Sequence, residues 1–243
     1  MWTEIEIENH KEAARLLIKI KNQIFDYMRK NRNVTEYAVQ QFVQKKFQEF
    51  NLKTDGYPMI SFRQSTANVH HYPAVKSKKI QPESLIMVDI WARLNKKRAP
   101  FADITWMGYC GENVPKDIQK VFDIVISARD EAISYLKARL KKGIMPTGKE
   151  MDDIARGQIA KFGYGKYFLH GTGHSLGFMK DHGPGTNLNQ KGIRKLSKMI
   201  GYTIEPGIYL KNKFGVRSEM DFFIDENLKF VLTTPLQKKI IKI

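Results

Sequence analysis

Apolar positions recur along the first fifth of the chain with a period near 3.6. Between residues 8 and 30, Ala13, Leu16, Leu17, Ile20, Ile24 and Met28 share one stripe, which predicts an amphipathic helix. A second helix follows Thr35, whose hydroxyl suits an N-cap, and carries Ala38, Val39, Phe42, Val43 and Phe47. Residues 57–63 read as extended. The pattern changes at "SLIMVDIWARL", residues 84–94, where Leu85, Ile86, Met87, Val88, Ile90 and Trp91 form a nearly unbroken apolar run. Such a run predicts a strand buried on both faces. A third, long helix starts at Pro115, tolerated at the first helical position, with Ile118, Val121, Phe122, Val125, Ala132, Ile133 and Leu136 on its stripe. A fourth covers residues 149–162, with Gly163 as its stop. Glycine-rich loops and extended segments fill the rest. Helices and hairpins without a regular βαβ rhythm predict one α+β domain over residues 1–243.

Composition narrows the class. Hydrophobic residues make up 42% and charged residues 27%, an ordinary globular mix. The single cysteine, Cys110, excludes an internal disulfide framework, so a cytoplasmic setting is expected. The N-terminal "MWTEIEIENHKEAARLL" has neither the basic start nor the apolar core of a signal peptide. No apolar run approaches the ~20 residues needed to span a bilayer, and no membrane partner is expected. The net charge is +16, but the lysines are scattered through the chain. No motif with interleaved aromatics accompanies them, so nucleic acid is not the expected partner.

Asp89 stands in the middle of the apolar run, where a carboxylate is costly without compensation. In "VDIWARLNKKRAPFADITWMGY", Asp89 and Asp103 are equidistant from Lys96. Regular pairing about that turn places them opposite one another with Cβ atoms ~5 Å apart, where like charges repel. A cation between them, or a proton on one, would relieve this. In "YTIEPGIYLKNKFGVRSEMDFFI", Glu205 and Glu219 are likewise equidistant from Asn212. Either hairpin alone is equally well explained by acids that bridge to lysines or sit at exposed strand ends. The recurrence of one separation favours a shared cation site.

The segment "FLHGTGHSLGFMKDHGPGTN" adds His170, His174 and His182, three of the six histidines. A lone histidine is more often structural, but these lie beside four paired acids. One imidazole and four carboxylates form a sensible set for two divalent ions. The oxygen-rich sphere favours manganese, cobalt or iron, with zinc possible. Two such ions could share a hydroxide and polarise a carbonyl, which is hydrolase machinery.

Taken in order, "VDIWA…ADITWMGY", "HGTGHSLG", "TIEPGIYL" and "FGVRSEMD" resemble the successive motifs of the pita-bread metallopeptidases. This superfamily contains methionine aminopeptidase, Xaa-Pro aminopeptidase and Xaa-Pro dipeptidase. The resemblance implies a curved antiparallel sheet flanked by helices. It implies Asp89 on the first metal, Asp103 and Glu219 bridging both, and His174 and Glu205 on the second, with Thr105 orienting Asp103. A filled ligand set argues against the superfamily's metal-free and non-catalytic members. "GVRSE" and His170 are similar to the proline peptidases, with Arg217 supporting the site and His170 near the substrate. The implied activity is hydrolysis of the bond between an N-terminal residue and a following proline. Glu205 would serve as general base, and an upstream histidine and His182 would contact the scissile amide and the oxyanion. The rivals are a methionine aminopeptidase and a non-catalytic module that binds RNA or protein.

Three departures stand out. His174 and His182 are eight residues apart where the family spacing is seven, so either one residue is inserted or Asp181 fills the histidine's place. In "STANVHHYPAV", the His-Tyr pair and the spacing to Asp89 favour His71 as the upstream histidine, while alignment through Asn68 and Pro73 favours His70. His71 is preferred, with His70 beside it in substrate binding. The chain also starts almost at the catalytic domain, whereas proline peptidases usually carry an extra N-terminal domain that helps form a dimer. A homodimer is therefore an open expectation.

Overall fold

A computed structural model describes residues 1–243. Helices α1 (Glu4–Lys30) and α2 (Glu36–Glu49) come first, followed by strands β1 (Leu52–Lys53) and β2 (Met59–Phe62). The hairpin β3 (Ser84–Leu94) and β4 (Ala102–Cys110) leads to helices α3 (Lys116–Lys141) and α4 (Gly148–Lys161). Six short strands close the chain: β5 (Gly201–Ile204), β6 (Gly207–Leu210), β7 (Phe214–Arg217), β8 (Met220–Ile224), β9 (Phe230–Leu232) and β10 (Ile241–Lys242). No helix is long and apolar enough to cross a membrane.

Capping chemistry sets the helix ends. α1 starts four residues earlier than its stripe suggests, because Thr3 and Glu6 form a reciprocal capping box that satisfies two otherwise free N–H groups. Thr35 caps α2 as expected, accepting from the Ala38 N–H. Pro115 is the N-cap of α3 rather than its first residue. Thr147 and Glu150 form a second capping box on α4, and Gly163, at φ +82°, reverses the chain after it at no steric cost.

The two faces of the β3–β4 hairpin are sorted by residue parity, because side chains alternate along a strand. Even-numbered Ile86, Val88, Ile90, Ala92, Ala102 and Ile104 join one apolar cluster with Leu17, Ile20 and Ile24 of α1 and Val39 and Val43 of α2. A Cβ on Gly108 would lie 2.4 Å from the Phe25 ring, so α1 can sit this close to the sheet only over a glycine. Odd-numbered Leu85, Met87, Met107 and Tyr109 join a second cluster with α3, α4 and strands β5–β8. Asp89, Asp103 and Thr105 share that odd face.

The expected pairing of Asp89 with Asp103 is corrected by the register. Asp89 lies opposite Thr105, and Asp103 opposite Trp91, because the turn is centred one residue later than Lys96. The two acids are diagonal neighbours on one face. The second hairpin keeps its expected register: Thr203 pairs with Asp221, and Gly207 with Arg217. Glu205 and Glu219 fall in the break between those two ladders. Pairing is antiparallel throughout except for β10, which adds to β4 in parallel.

His10 pins α1 to the rest. Its Nδ1 bonds the Phe101 carbonyl and its Nε2 the Thr233 hydroxyl, both at 2.8 Å. Burial pushes its pKa down to about 4. The folded state therefore refuses a proton that the unfolded chain accepts below about pH 6.5. Stability from this group is complete above that pH and is lost as the pH falls toward 4. The stability advantage of wild type over His10→Gln should shrink by roughly 3 kcal/mol between about pH 7 and about pH 4. Urea midpoints at each pH measure it, and an unchanged difference refutes the buried neutral imidazole.

Candidate metal centre

The odd face of β3–β4 and the break between the β5–β8 and β6–β7 ladders meet in a cleft of about 220 Å³. Its acidic wall is Asp89, Asp103, Asp181, Glu205 and Glu219; His70, His174, His182 and Arg217 complete the polar lining. The hairpins are stitched together there. The Glu219 N–H donates to the Thr105 carbonyl at 3.3 Å, and the Asp103 N–H to Asp221 Oδ2 at 2.8 Å. Thr105 Oγ1 donates to Glu219 Oε2 at 2.7 Å and accepts from Arg217 Nε at 3.0 Å. Thr105 thus orients Glu219, not Asp103 as expected, because the link between β7 and β8 that carries Glu219 docks on the Thr105 backbone. Arg217 also ion-pairs with Asp89, both side chains being buried.

His174 is set from both sides. Its N–H donates to Thr203 Oγ1, and its Nδ1 faces the Ser175 carbonyl at 3.0 Å. Donation from Nδ1–H leaves the Nε2 lone pair directed into the acidic wall. Three carboxylates surround that nitrogen: Asp181 at 3.4 Å, Glu205 at 3.6 Å and Asp103 at 3.8 Å. Asp103, His174 and Glu219 lie close enough to hold one metal ion, as do His174, Asp181 and His182.

The electrostatics call for a cation. Burial, and then the neighbouring carboxylates, hold Asp103 and Glu219 well above the ordinary carboxylate range. Burial raises Asp89 as well, with Arg217 opposing it. Glu205 is pushed up to about 7 by burial, with Arg217 pulling it down and Asp89 pushing it up. Burial and the adjacent His182 lower His174 to about 3, so its imidazole is neutral. Asp103 Oδ1, Glu219 Oε1 and Asp181 Oδ1 are buried without a hydrogen-bond partner. Orphaned buried oxygens are rare in native proteins, and divalent cations are the partners this donor set fits.

The histidines separate. His70 lines the cleft. His71 turns away and bonds buried Glu36 at 3.1 Å, so the preference for His71 is corrected. His70 ends a turn, and Glu36, which also accepts from the Phe62 N–H, captures the ring of His71 beyond it. His170 joins His70, His174 and Arg217 in an adjoining pocket. Its Nε2 bonds the Tyr209 hydroxyl at 2.8 Å, which in turn accepts from Arg217. The His182 ring stacks on His174 with 3.7 Å between centroids. Asp181, framed from the spacing as one of two occupants of the histidine's place, points at His174, and Asp221, which accepts from the Asp103 backbone behind the cleft, was not anticipated. Asp221 sits two residues beyond Glu219, a period-two signal visible in the sequence.

A sheet-lined cleft with one buried, oriented imidazole among carboxylates is a donor set able to hold divalent ions. The metallopeptidase family M24 profile matches residues 8–226, and the chain belongs to that family. A Staphylococcus haemolyticus peptidase is 28% identical over 231 residues, covering 95% of this chain and 61% of its own. The Xaa-Pro dipeptidase of Pyrococcus furiosus is 31% identical over 183 residues, covering 74% of this chain and 49% of its own. The X-Pro aminopeptidase of Thermotoga maritima superposes with a TM-score of 0.88 at 25% identity, covering all of this chain and 64% of its own. The pita-bread architecture is thereby established. The chain spans between about half and three-fifths of the length of these curated relatives.

The metal-free cleft should weaken the fold as the pH rises. Folded Glu205 keeps its proton up to about pH 7, while the unfolded chain releases it near pH 4.5, so this stability is present at low pH and lost on raising it. In chelator, wild type should lose on the order of 3 kcal/mol relative to Glu205→Gln between about pH 5 and about pH 8. Added manganese should reverse the loss for wild type. Calorimetric or urea midpoints decide; a wild type insensitive to both pH and manganese refutes the cation requirement.

Proposed function

We propose that this chain is the catalytic part of a dinuclear-metal Xaa-Pro peptidase, which removes an N-terminal residue from a following proline. The observation that carries this reading is the convergence of Asp103, Asp181 and Glu205 on His174 Nε2, with Arg217 beside Asp89 and Glu219. The P. furiosus and T. maritima relatives support the choice of bond. Manganese or cobalt suits the oxygen-rich sphere best. We infer a cytoplasmic setting from the single cysteine, which is free and buried.

Two divalent ions, held by Asp89, Asp103, His174, Glu205 and Glu219, would supply Lewis acidity and nucleophilic water near neutral pH. The protein's own groups do the rest. The free α-amine of a peptide would anchor at the metal-holding end of the cleft. Glu205 takes the proton of the attacking water and returns it to the departing proline nitrogen. His70 and His182, at the cleft wall, donate hydrogen bonds to the scissile amide and the developing oxyanion. The Arg217–Tyr209–His170 chain of hydrogen bonds stiffens the wall where the proline ring lies.

With manganese or cobalt, Ala-Pro-Ala should release alanine, whereas Met-Ala-Ser should not release methionine. The reverse selectivity would identify a methionine aminopeptidase. His70→Ala should lower kcat by about 10²-fold or more, while His71→Ala, outside the cleft, should leave kcat within a few-fold and act on stability. An exchange of those two effects refutes the assignment of His70. Glu219→Gln should abolish turnover and metal uptake together.

A further inference from the structure

Asp181 has no role in the mechanism above, yet it is 5% exposed and points into the cleft with Oδ1 unpartnered. Its Oδ2 lies 3.4 Å from His174 Nε2, nearer than the carboxylates of Glu205 and Asp103. Ligands bound at 2.0–2.2 Å around a tetrahedral ion stand ~3.3–3.6 Å apart. Asp181 is therefore spaced from His174 as a fellow ligand. No lysine or arginine forms a salt bridge with it; its polar neighbours are His174 at 3.4 Å, His182 and the Asp103 carboxyl.

The chain holds Asp181 firmly in this attitude. The segment after His174 folds back on itself: the Gly177 N–H donates to the Asp181 carbonyl at 2.8 Å, and the Gly183 N–H to the Ser175 carbonyl. The Asp181 N–H donates to Asp55 Oδ2 at 3.0 Å, and Asp55 Oδ1 accepts from the Trp91 ring at 2.7 Å. Asp181 is thus tied to the strand that carries Asp89. The backbone bonds leave its carboxylate no task within the protein.

We propose that Asp181 is a further protein ligand of the ion held by His174. This rests on the dinuclear reading and extends it. Five carboxylates and one guanidinium line the cleft, so the acids outnumber the one fixed cation, Arg217, and an added cation relieves their repulsion. The added oxygen donor biases the sphere toward hard ions such as manganese over zinc.

The test is manganese binding by equilibrium dialysis and calorimetry on wild type, Asp181→Asn and Asp181→Glu, with cobalt absorption spectra of each. Wild type should bind two ions. Asp181→Asn should bind the weaker one at least 10- to 100-fold less tightly, the range seen when even an outer-sphere group is lost. Its cobalt spectrum should change toward lower coordination, and Asp181→Glu should recover most of the affinity. In chelator, Asp181→Asn should melt no lower than wild type, since a like charge has been removed; this separates loss of a ligand from loss of the fold. Two ions bound by Asp181→Asn with wild-type affinity and an unchanged cobalt spectrum overturn the proposal and leave the dinuclear reading intact. A wild type that takes up no manganese or cobalt overturns both.

Discussion

Five carboxylates in one cleft, four of them buried and Glu205 partly so, with a single arginine among them, are the constraint to which the rest of this structure answers. Burial raises the affinity of these acids for protons, and at Asp103 and Glu219 the neighbouring carboxylates add to the effect. Such a cluster is destabilising while it waits for a cation, because desolvated like charges repel in a medium that screens them poorly. The fold must hold these groups together by other means. Apolar packing on both sides of the β3–β4 hairpin provides that support, with α1 and α2 against one face and α3 and α4 against the other. A site that costs stability is thereby set in the most thoroughly packed part of the molecule.

Asp89 shows how a charge survives in that position. Its neighbours Val88 and Ile90 face the α1–α2 side, so only the aspartate points to the cleft. There Arg217, from a strand more than a hundred residues away, meets it. Arg217 also reaches Thr105 and Tyr209, so one guanidinium connects the first acidic strand to Glu219 and to His170. Arginine suits this task because its planar fork presents several donors at fixed angles. A lysine would satisfy one partner and leave the others without a donor.

The long elements were legible because their signals are local: stripes of period 3.6 in the helices and an apolar run in β3. The acids were legible through symmetry about two turns and the resemblance of the ordered motifs. Side-chain direction was not, because it depends on contacts between distant segments. His70 and His71 are chemically identical neighbours, and Glu36, from another helix, decides which of them leaves the cleft. The start of α1 after Thr3 escaped notice because its apolar stripe begins a turn inside the capping box, whereas α4 starts within one residue of its expected position. The place of Asp181 could be framed only as one of two spacings. The fold-back of residues 175–183 brings the aspartate side chain to His174 and stacks the adjacent His182 on the same ring, so both neighbours of that break in spacing reach the cleft.

The one-residue displacement of the first turn matters for the chemistry. Had Asp89 faced Asp103, two carboxylates would sit at the closest cross-strand approach, and Thr105 would lie beyond Asp89 opposite Met87. The observed register instead sets the neutral hydroxyl of Thr105 across from Asp89 and moves Asp103 one diagonal step away. Repulsion falls, and a donor and acceptor stands between the two acids. Glu219 and Arg217 both bond that hydroxyl, so the second hairpin docks on the first at the residue the shifted turn supplies. Placement of the turn, a matter of backbone geometry near Lys96 and Lys97, therefore determines whether the two acidic hairpins can meet as a single cation-binding cleft.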